Sequence, residues 1–388
     1  MTSQAKQRST FLPPVVFVHG WKASVLVDRT TGEAVFDYNF VELITGRGGR
    51  GVLDLPLDWD TTSGRQVTDN LQASHPCYDV KACCFTVGNI YKPLIRHLED
   101  TYGPDKVHMF AYDWRRELDE HSQNLEVYLQ DVAAMHEGQK PQVVAHSMGC
   151  CITLHCMNRR PDLFHSVLFG AGALAPNISI LEDWSIMGGI NSIVNNAEYF
   201  CPAQHLTNPS SLHFLQLFDN ERKIFGKEDQ TLLYDAQGQA ISATSFHLVD
   251  TWKRLQIGMY HPKSGVNVTQ DKEVWLQSVL DKCRVFRRGL VPDAAILKKL
   301  PPCAVIHSDG HPTKFSFRMS IHGTLDLDAF TMRPGDGRIV CEDSVPPASV
   351  PIIMQITNKS EHSQVLNDLP NVKTLLEALL QAVTDYKS

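Results

Sequence analysis

Along the first 170 residues, short unbroken apolar runs alternate with longer stretches of helical period. Val15-Val16-Phe17-Val18 follows Pro13-Pro14 and closes on His19-Gly20. An all-apolar run with β-branched residues leaves no face for water and reads as a buried parallel strand. The stretch before it is too short for a leading hairpin, so the sheet is expected to begin here. Residues 21–85 break the pattern with a long irregular insertion rich in Gly, Asp and Thr, including Gly46 to Gly51. Val87, Ile90, Leu94, Ile95 and Leu98 then predict a helix over residues 87–101, and Val107 to Tyr112 a strand. Leu125, Tyr128, Leu129 and Val132 mark a long amphipathic helix from Leu118 to Met135. Gln142-Val143-Val144 is a short strand, Cys150 to Asn158 a packed helix, and Ser166 to Gly170 another strand. This alternation predicts a mostly parallel α/β sheet with helices on both faces.

After Pro176 the alternation stops for more than a hundred residues. Ile180, Trp184, Met187, Ile190 and Val194 share one helical face, interrupted by Gly188-Gly189, and Val274 to Val285 has helical spacing. Residues 176–300 are therefore expected to form a cap inserted between two sheet strands. The core is then divided into residues 1–175, with the 21–85 insertion, and residues 301–388. Its second part reads as a strand at Cys303 to His307, an excursion from Lys314 to Met332, and a last strand from Pro351 to Ile356. That strand leads to Ser360-Glu361-His362-Ser363, and a helix from Val372 to Val383 closes the chain.

Candidate chemistry sits at the strand-to-helix junction Ala145-His146-Ser147-Met148-Gly149. A small-x-Ser-x-Gly turn there has the form of a nucleophile elbow, with Ala in the first small position. The turn is so tight that larger side chains two residues either side of the serine would collide with the neighbouring strand or the helix start. A serine hydroxyl needs a base to take its proton, and the base needs a carboxylate to fix its tautomer. His362, between the last strand and the last helix, is the expected base. Asp309, straight after a strand, and Asp336, between Gly335 and Gly337, are both eligible as the acid, and position does not separate them. Backbone N–H groups of Met148 and of Trp21, in the loop after the first strand, are the expected oxyanion donors. His19, Asp113 and Trp114 beside strand ends, with Trp184 and Met187 on the cap face, are candidates for substrate contact.

Composition narrows the partners. The chain has 388 residues, 43 % of them apolar and 20 % charged, within the range of a soluble enzyme with a large core. A formal charge of −7 disfavours nucleic acid and acidic membranes as bulk electrostatic partners. The polar N-terminus has no apolar signal core, which predicts a cytoplasmic protein, or a secreted or lysosomal one if the N-terminus is incomplete. No apolar run is long enough for a membrane span. The 10 cysteines include no C-x-x-C pair, and free thiols are expected. No metal-ligand spacing and no Gly-rich phosphate loop is present, so no cofactor is expected.

Four motifs occur in an order that resembles the lecithin–cholesterol acyltransferase family, including its lysosomal phospholipase/acyltransferases. They are Tyr112-Asp-Trp-Arg115, Ala145-His-Ser-Met-Gly149, Gly335-Asp-Gly337 and the C-terminal His362. Cys303 to His307 followed by Gly310-His-Pro-Thr313 also looks like a strand and Gly-x-x-Thr segment of that family. The resemblance implies an α/β-hydrolase fold and serine chemistry on a lipid acyl ester, with the acyl-enzyme passed to water or an alcohol. It implies transient contact with a lipid surface, and it assigns the acid to Asp336 rather than Asp309. His19-Gly20 stands where the family has Pro-Gly, and the family's disulphide lid has no clear counterpart.

Overall fold

The computed structural model describes residues 12–37, 69–82, 85–175, 232–241, 246–260 and 267–387. Trp184, Met187 and the Gly46–Gly51 stretch lie outside these residues.

The chain enters as β1 (Val15–Val18), buried at every position. Within the expected irregular insertion, the described residues form small antiparallel sheets. Strands β2 (Ser24–Asp28), β3 (Ala34–Phe36) and β4 (Leu71–Pro76) form one sheet in the order β3-β2-β4, and β5 (Asp79–Ala82) pairs with β6 (Phe85–Asn89) as a hairpin. Leu26 and its cross-strand partner Phe36 give the first sheet a buried apolar side, the part of the pattern hidden beneath its Gly and Asp content. Helix α1 (Lys92–Tyr102) starts later than expected, with a proline in its first turn, where the missing N–H costs nothing. Val87 therefore belongs to β6, and Ile90 to the turn after it.

The remainder of the first half alternates as expected: β7 (Val107–Phe110), α2 (Leu118–Met135), β8 (Gln142–His146), α3 (Met148–Arg159) and β9 (Ser166–Gly170). Beyond it come β10 (Leu233–Tyr234), α4 (Val249–Leu255), α5 (Gln270–Arg288), β11 (Cys303–Ser308), β12 (His311–Met319), β13 (Leu325–Gly335), β14 (Ile352–Asn358) and α6 (Leu369–Lys387). Six strands make one sheet in the order β14-β11-β9-β8-β1-β7, and every pair in it is parallel.

Period two in β1 builds the layers. Val16 and Val18 pack with Val143 and Ala145 against Leu125 and Leu129 of α2 and Ile152 and Leu154 of α3. Val15 and Phe17 face the other way, with Val144, onto Leu94 and Leu98 of α1 and Leu375 and Leu379 of α6. Both faces are covered, which is why these strands are apolar throughout. A separate core joins Trp252 of α4 and Trp275, Leu276 and Leu280 of α5 to Phe315, Phe317 and Met319 of β12. The Lys314–Met332 excursion is therefore an antiparallel ribbon, β12 with β13, that packs with segments of the expected cap. Trp21, just past β1, packs against the main core and this second one. Among the described residues no helix is long and apolar enough to cross a membrane.

Candidate functional site

Ser147 stands between β8 and α3 with φ 53° and ψ −121°, a left-handed conformation for a residue with a side chain. Such strain persists only where surroundings enforce it, and here they are rigid. Its N–H donates to the Gly170 carbonyl at 2.9 Å, and its carbonyl accepts from Cys150 at 3.0 Å. Two glycines let the turn close. A Cβ on Gly149 would stand 2.4 Å from the His19 carbonyl oxygen and 2.6 Å from that of Val18, both backbone atoms. A Cβ on Gly20 would stand 3.0 Å from the Ser147 Cβ and 3.1 Å from His146 Nδ1. The end of β1 and the serine turn are therefore in direct contact, with Trp21 one residue beyond. Met148 opens α3, where backbone N–H groups lack helical partners.

His362 Nε2 lies 2.9 Å from Ser147 Oγ, and its Nδ1 lies 2.7 Å from Asp336 Oδ2. With Nδ1–H donating to the carboxylate, Nε2 is left to accept the serine proton. Asp336 is 2 % exposed. Its Oδ1 accepts from the N–H groups of Arg338 at 2.9 Å and Ile339 at 2.6 Å. Burial alone would raise its pKa. The positive charge His362 can carry and its hydrogen bond, with the two backbone donors, outweigh burial and hold the carboxyl below its ordinary value. The flanking glycines have separate reasons. Gly337 has φ 89° and donates its N–H to Thr313 Oγ1, while a Cβ on Gly335 would stand 2.4 Å from both Ile339 O and Thr313 Oγ1. The second eligible acid is elsewhere. Asp309 pairs with Lys359 at 2.8 Å at the surface.

Two further residues belong to the site. His146 Nε2 lies 3.0 Å from the His362 carbonyl oxygen, and its Nδ1 lies 2.8 Å from Tyr91 Oη, which accepts from the Gly20 N–H at 3.0 Å. Burial pushes His146 down to about 3, so the ring is neutral. His146 sits inside the serine motif, but its role depends on partners 55 and 216 residues away along the chain. Tyr91 stands just before a proline-started helix and carries no signal of this role in the sequence.

Three expected substrate contacts have different positions. His19 is fully buried, stacked on Tyr112 at 4.0 Å, with Nδ1 bonded to the Gly20 carbonyl at 2.7 Å and Nε2 accepting the Tyr112 N–H at 3.3 Å. Burial lowers its pKa to about 3. Trp114 is fully buried in the main core. Asp113 is buried against Arg115, whose guanidinium bridges to Asp113 at 2.6 Å and Asp69 at 2.7 Å. These side chains are engaged within the protein, and the Asp-Trp-Arg motif ties the end of β7 to the segment before β4. Trp184 and Met187 lie outside the described residues. Among the described residues no group of three or more His, Cys, Asp or Glu is placed to hold a metal. Among the described residues Cys150, Cys151, Cys156, Cys283 and Cys303 are free thiols, and all five are buried.

Residues 83–164, which span α1, β7, α2 and the Ser147 turn, match the family described as lecithin:cholesterol acyltransferase. The fold is similar to the crystal structure of the Tle4–Tli4 complex, with TM-score 0.56 and 13 % identity over 96 % of this chain and 98 % of that one. The mature form of the Bacillus licheniformis lipase BlEst2 aligns at TM-score 0.36 and 9 % identity over 95 % of this chain and 91 % of that one. No curated protein sequence matches the chain. A six-stranded parallel sheet with helices on both faces and a strained serine turn at the end of a central strand give this chain an α/β-hydrolase fold, and its residues 83–164 are similar to the lecithin:cholesterol acyltransferase family.

Proposed function

We propose that the protein is a serine hydrolase of lipid acyl esters that works through an acyl-serine intermediate, with an alcohol able to replace water as acceptor. The observation that carries this reading is the line of hydrogen bonds from Ser147 Oγ through His362 to Asp336, at 2.9 and 2.7 Å. In the forward step Ser147 Oγ attacks the ester carbonyl carbon while its proton passes to His362 Nε2. Asp336 keeps Nδ1 protonated and stabilises the imidazolium. The carbonyl oxygen becomes an oxyanion beside the N–H groups of Met148 and Trp21, and its collapse expels the alcohol, which takes the proton from His362. Water or a second alcohol then attacks the acyl-serine with His362 again as base, and Ser147 is released. The choice of a lipid ester is supported by the acyltransferase-family match, and the choice of serine by the geometry of its hydroxyl.

The test is a chain-length series of p-nitrophenyl esters assayed alone and with phospholipid vesicles. The account expects kcat/KM to rise with acyl length and no turnover in Ser147→Ala. A preference for acetyl or butyryl esters with no response to vesicles contradicts the lipid assignment and favours a small-ester or thioester hydrolase. Undiminished turnover in Ser147→Ala removes the nucleophile.

A further inference from the structure

Three loops must stay in register for the proposed chemistry: the one after β1, the serine turn, and the one carrying His362. A single line of hydrogen bonds joins them. The Gly20 N–H donates to Tyr91 Oη at 3.0 Å, the Tyr91 hydroxyl meets His146 Nδ1 at 2.8 Å, and His146 Nε2 meets the His362 carbonyl oxygen at 3.0 Å. The ends fix its direction. A carbonyl can only accept, so His146 Nε2 carries the hydrogen. A neutral ring then has only an acceptor at Nδ1, so Tyr91 donates there and its oxygen is left to accept from Gly20. Tyr91 is 2 % and His146 4 % exposed, so water does not compete for these groups. Burial keeps the ring neutral, consistent with this direction.

Packing makes the arrangement stiff. Tyr91 lies edge-on to Phe17 of β1, with centroids 4.7 Å apart, and edge-on to His146 at 5.4 Å. The His146 and His362 rings are 5.0 Å apart. His362 is otherwise held through Asp336, whose carbonyl accepts the His362 N–H at 2.9 Å and whose carboxylate accepts its Nδ1–H. Asp336 thus fixes the amide and ring of His362, and His146 fixes its carbonyl from the other side.

We propose that His146 and Tyr91 are positioning residues that lock the His362 loop to the Gly20-Trp21 loop, so that the base and the oxyanion donors keep their places relative to Ser147. Neither residue exchanges a proton with substrate; both act through His362 and the Gly20-Trp21 segment. The proposal rests on the assignment of His362 as base.

The experiment compares His146→Leu, His146→Gln, Tyr91→Phe and His362→Ala with the wild type, by steady-state kinetics on a long-chain p-nitrophenyl ester and by thermal unfolding. A misplacement of the base by a fraction of an ångström is expected to lower kcat about 10- to 100-fold in His146→Leu. Tyr91→Phe is expected to lose kcat in the same direction by a smaller factor. KM stays near the wild-type value in both, because the network does not touch substrate. His146→Gln, whose amide N–H extends about as far as His Nε2, is expected to recover most of the kcat lost in His146→Leu. Wild-type kcat in both His146→Leu and Tyr91→Phe, with His362→Ala inactive, overturns the proposal while leaving the base assigned. A loss that Gln does not recover, accompanied by a lowered unfolding temperature, assigns the residues a merely structural role and also overturns it. If His146→Leu does not fold, the kcat of Tyr91→Phe decides. Turnover that survives in His362→Ala removes the base assignment, and this proposal with it.

Discussion

Asp336 is a buried carboxylate that accepts two backbone N–H bonds at Oδ1 and the imidazole N–H of His362 at Oδ2, so both oxygens are held in place. Replacing it with Asn keeps the shape but offers His362 Nδ1 a neutral amide, which can hold the ring in the wrong tautomer. The expected result is a fall in kcat of about 10³- to 10⁴-fold for Asp336→Asn, on the scale of other serine triads. Asp309→Asn removes only an exposed pair with Lys359 and is expected to leave kcat unchanged. Equal losses in both variants, measured on one ester substrate, contradict the division of roles. At this scale the place of Ser147 and His362 after strands and before helices was legible, and the structure brings the two side chains together. The choice between two turn aspartates was not, because each follows a strand and each is eligible by position. The family resemblance favoured Asp336, and the structure brings that carboxylate to His362. A position beside a strand end says nothing about burial, and the side chains of His19 and Trp114 are fully buried.

Among elements, the tightest junction is that of β1 with the start of α3. An added methyl at Gly149 meets backbone oxygens of Val18 and His19, which cannot rotate away. Gly149→Ala is expected to cost about 1–3 kcal/mol or more of stability and to slow labelling of Ser147, because the loop carrying Trp21 must move to admit it. A denaturation midpoint and labelling rate equal to wild type contradict this. Arg115 is a second such junction. Its fully buried guanidinium lies between Asp113 and Asp69, so Arg115→Ala leaves the buried Asp113 carboxylate without its partner, and a loss of about 3–5 kcal/mol is expected in chemical denaturation. The inner strands β1, β8, β9 and β11 were readable because burial on both faces favours apolar runs. The described strands of the 21–85 insertion were not, since β2, β3 and β4 are short and β2 pairs with β4 across a long sequence gap. Helix α1 was extended too far because Val87 and Ile90 happen to continue its period, and a period cannot report that a hairpin already occupies those residues.

Over the whole molecule, buried neutral histidines set the response to acid. Burial lowers His19 and His146 to about 3 and His155 and His247 to about 4, and it lowers His121 as well. Unfolded, each binds a proton near pH 6.5, so between that value and about 4 the unfolded chain holds more protons than the folded one. Stability is therefore full above about pH 6.5 and falls as the pH drops toward 4. The depressed Asp336 carboxyl acts in the same sense at lower pH, since its contribution is present above the ordinary carboxylate value and is lost on acidification through its own. A thermal midpoint that does not change from pH 7 to 4.5 contradicts this. Trp21, in the loop that touches the Ser147 turn, packs against the core on one face of the parallel sheet and against the core that the ribbon forms with α4 and α5. The central claim is that Ser147 is the nucleophile activated through His362 and Asp336, and covalent trapping tests it most directly. Incubated with a fluorophosphonate, the wild type should gain the mass of one adduct, mapped to the peptide containing Ser147. Ser147→Ala should gain none, and His362→Ala should react far more slowly. An adduct on another residue, or labelling that persists in Ser147→Ala, would contradict the account.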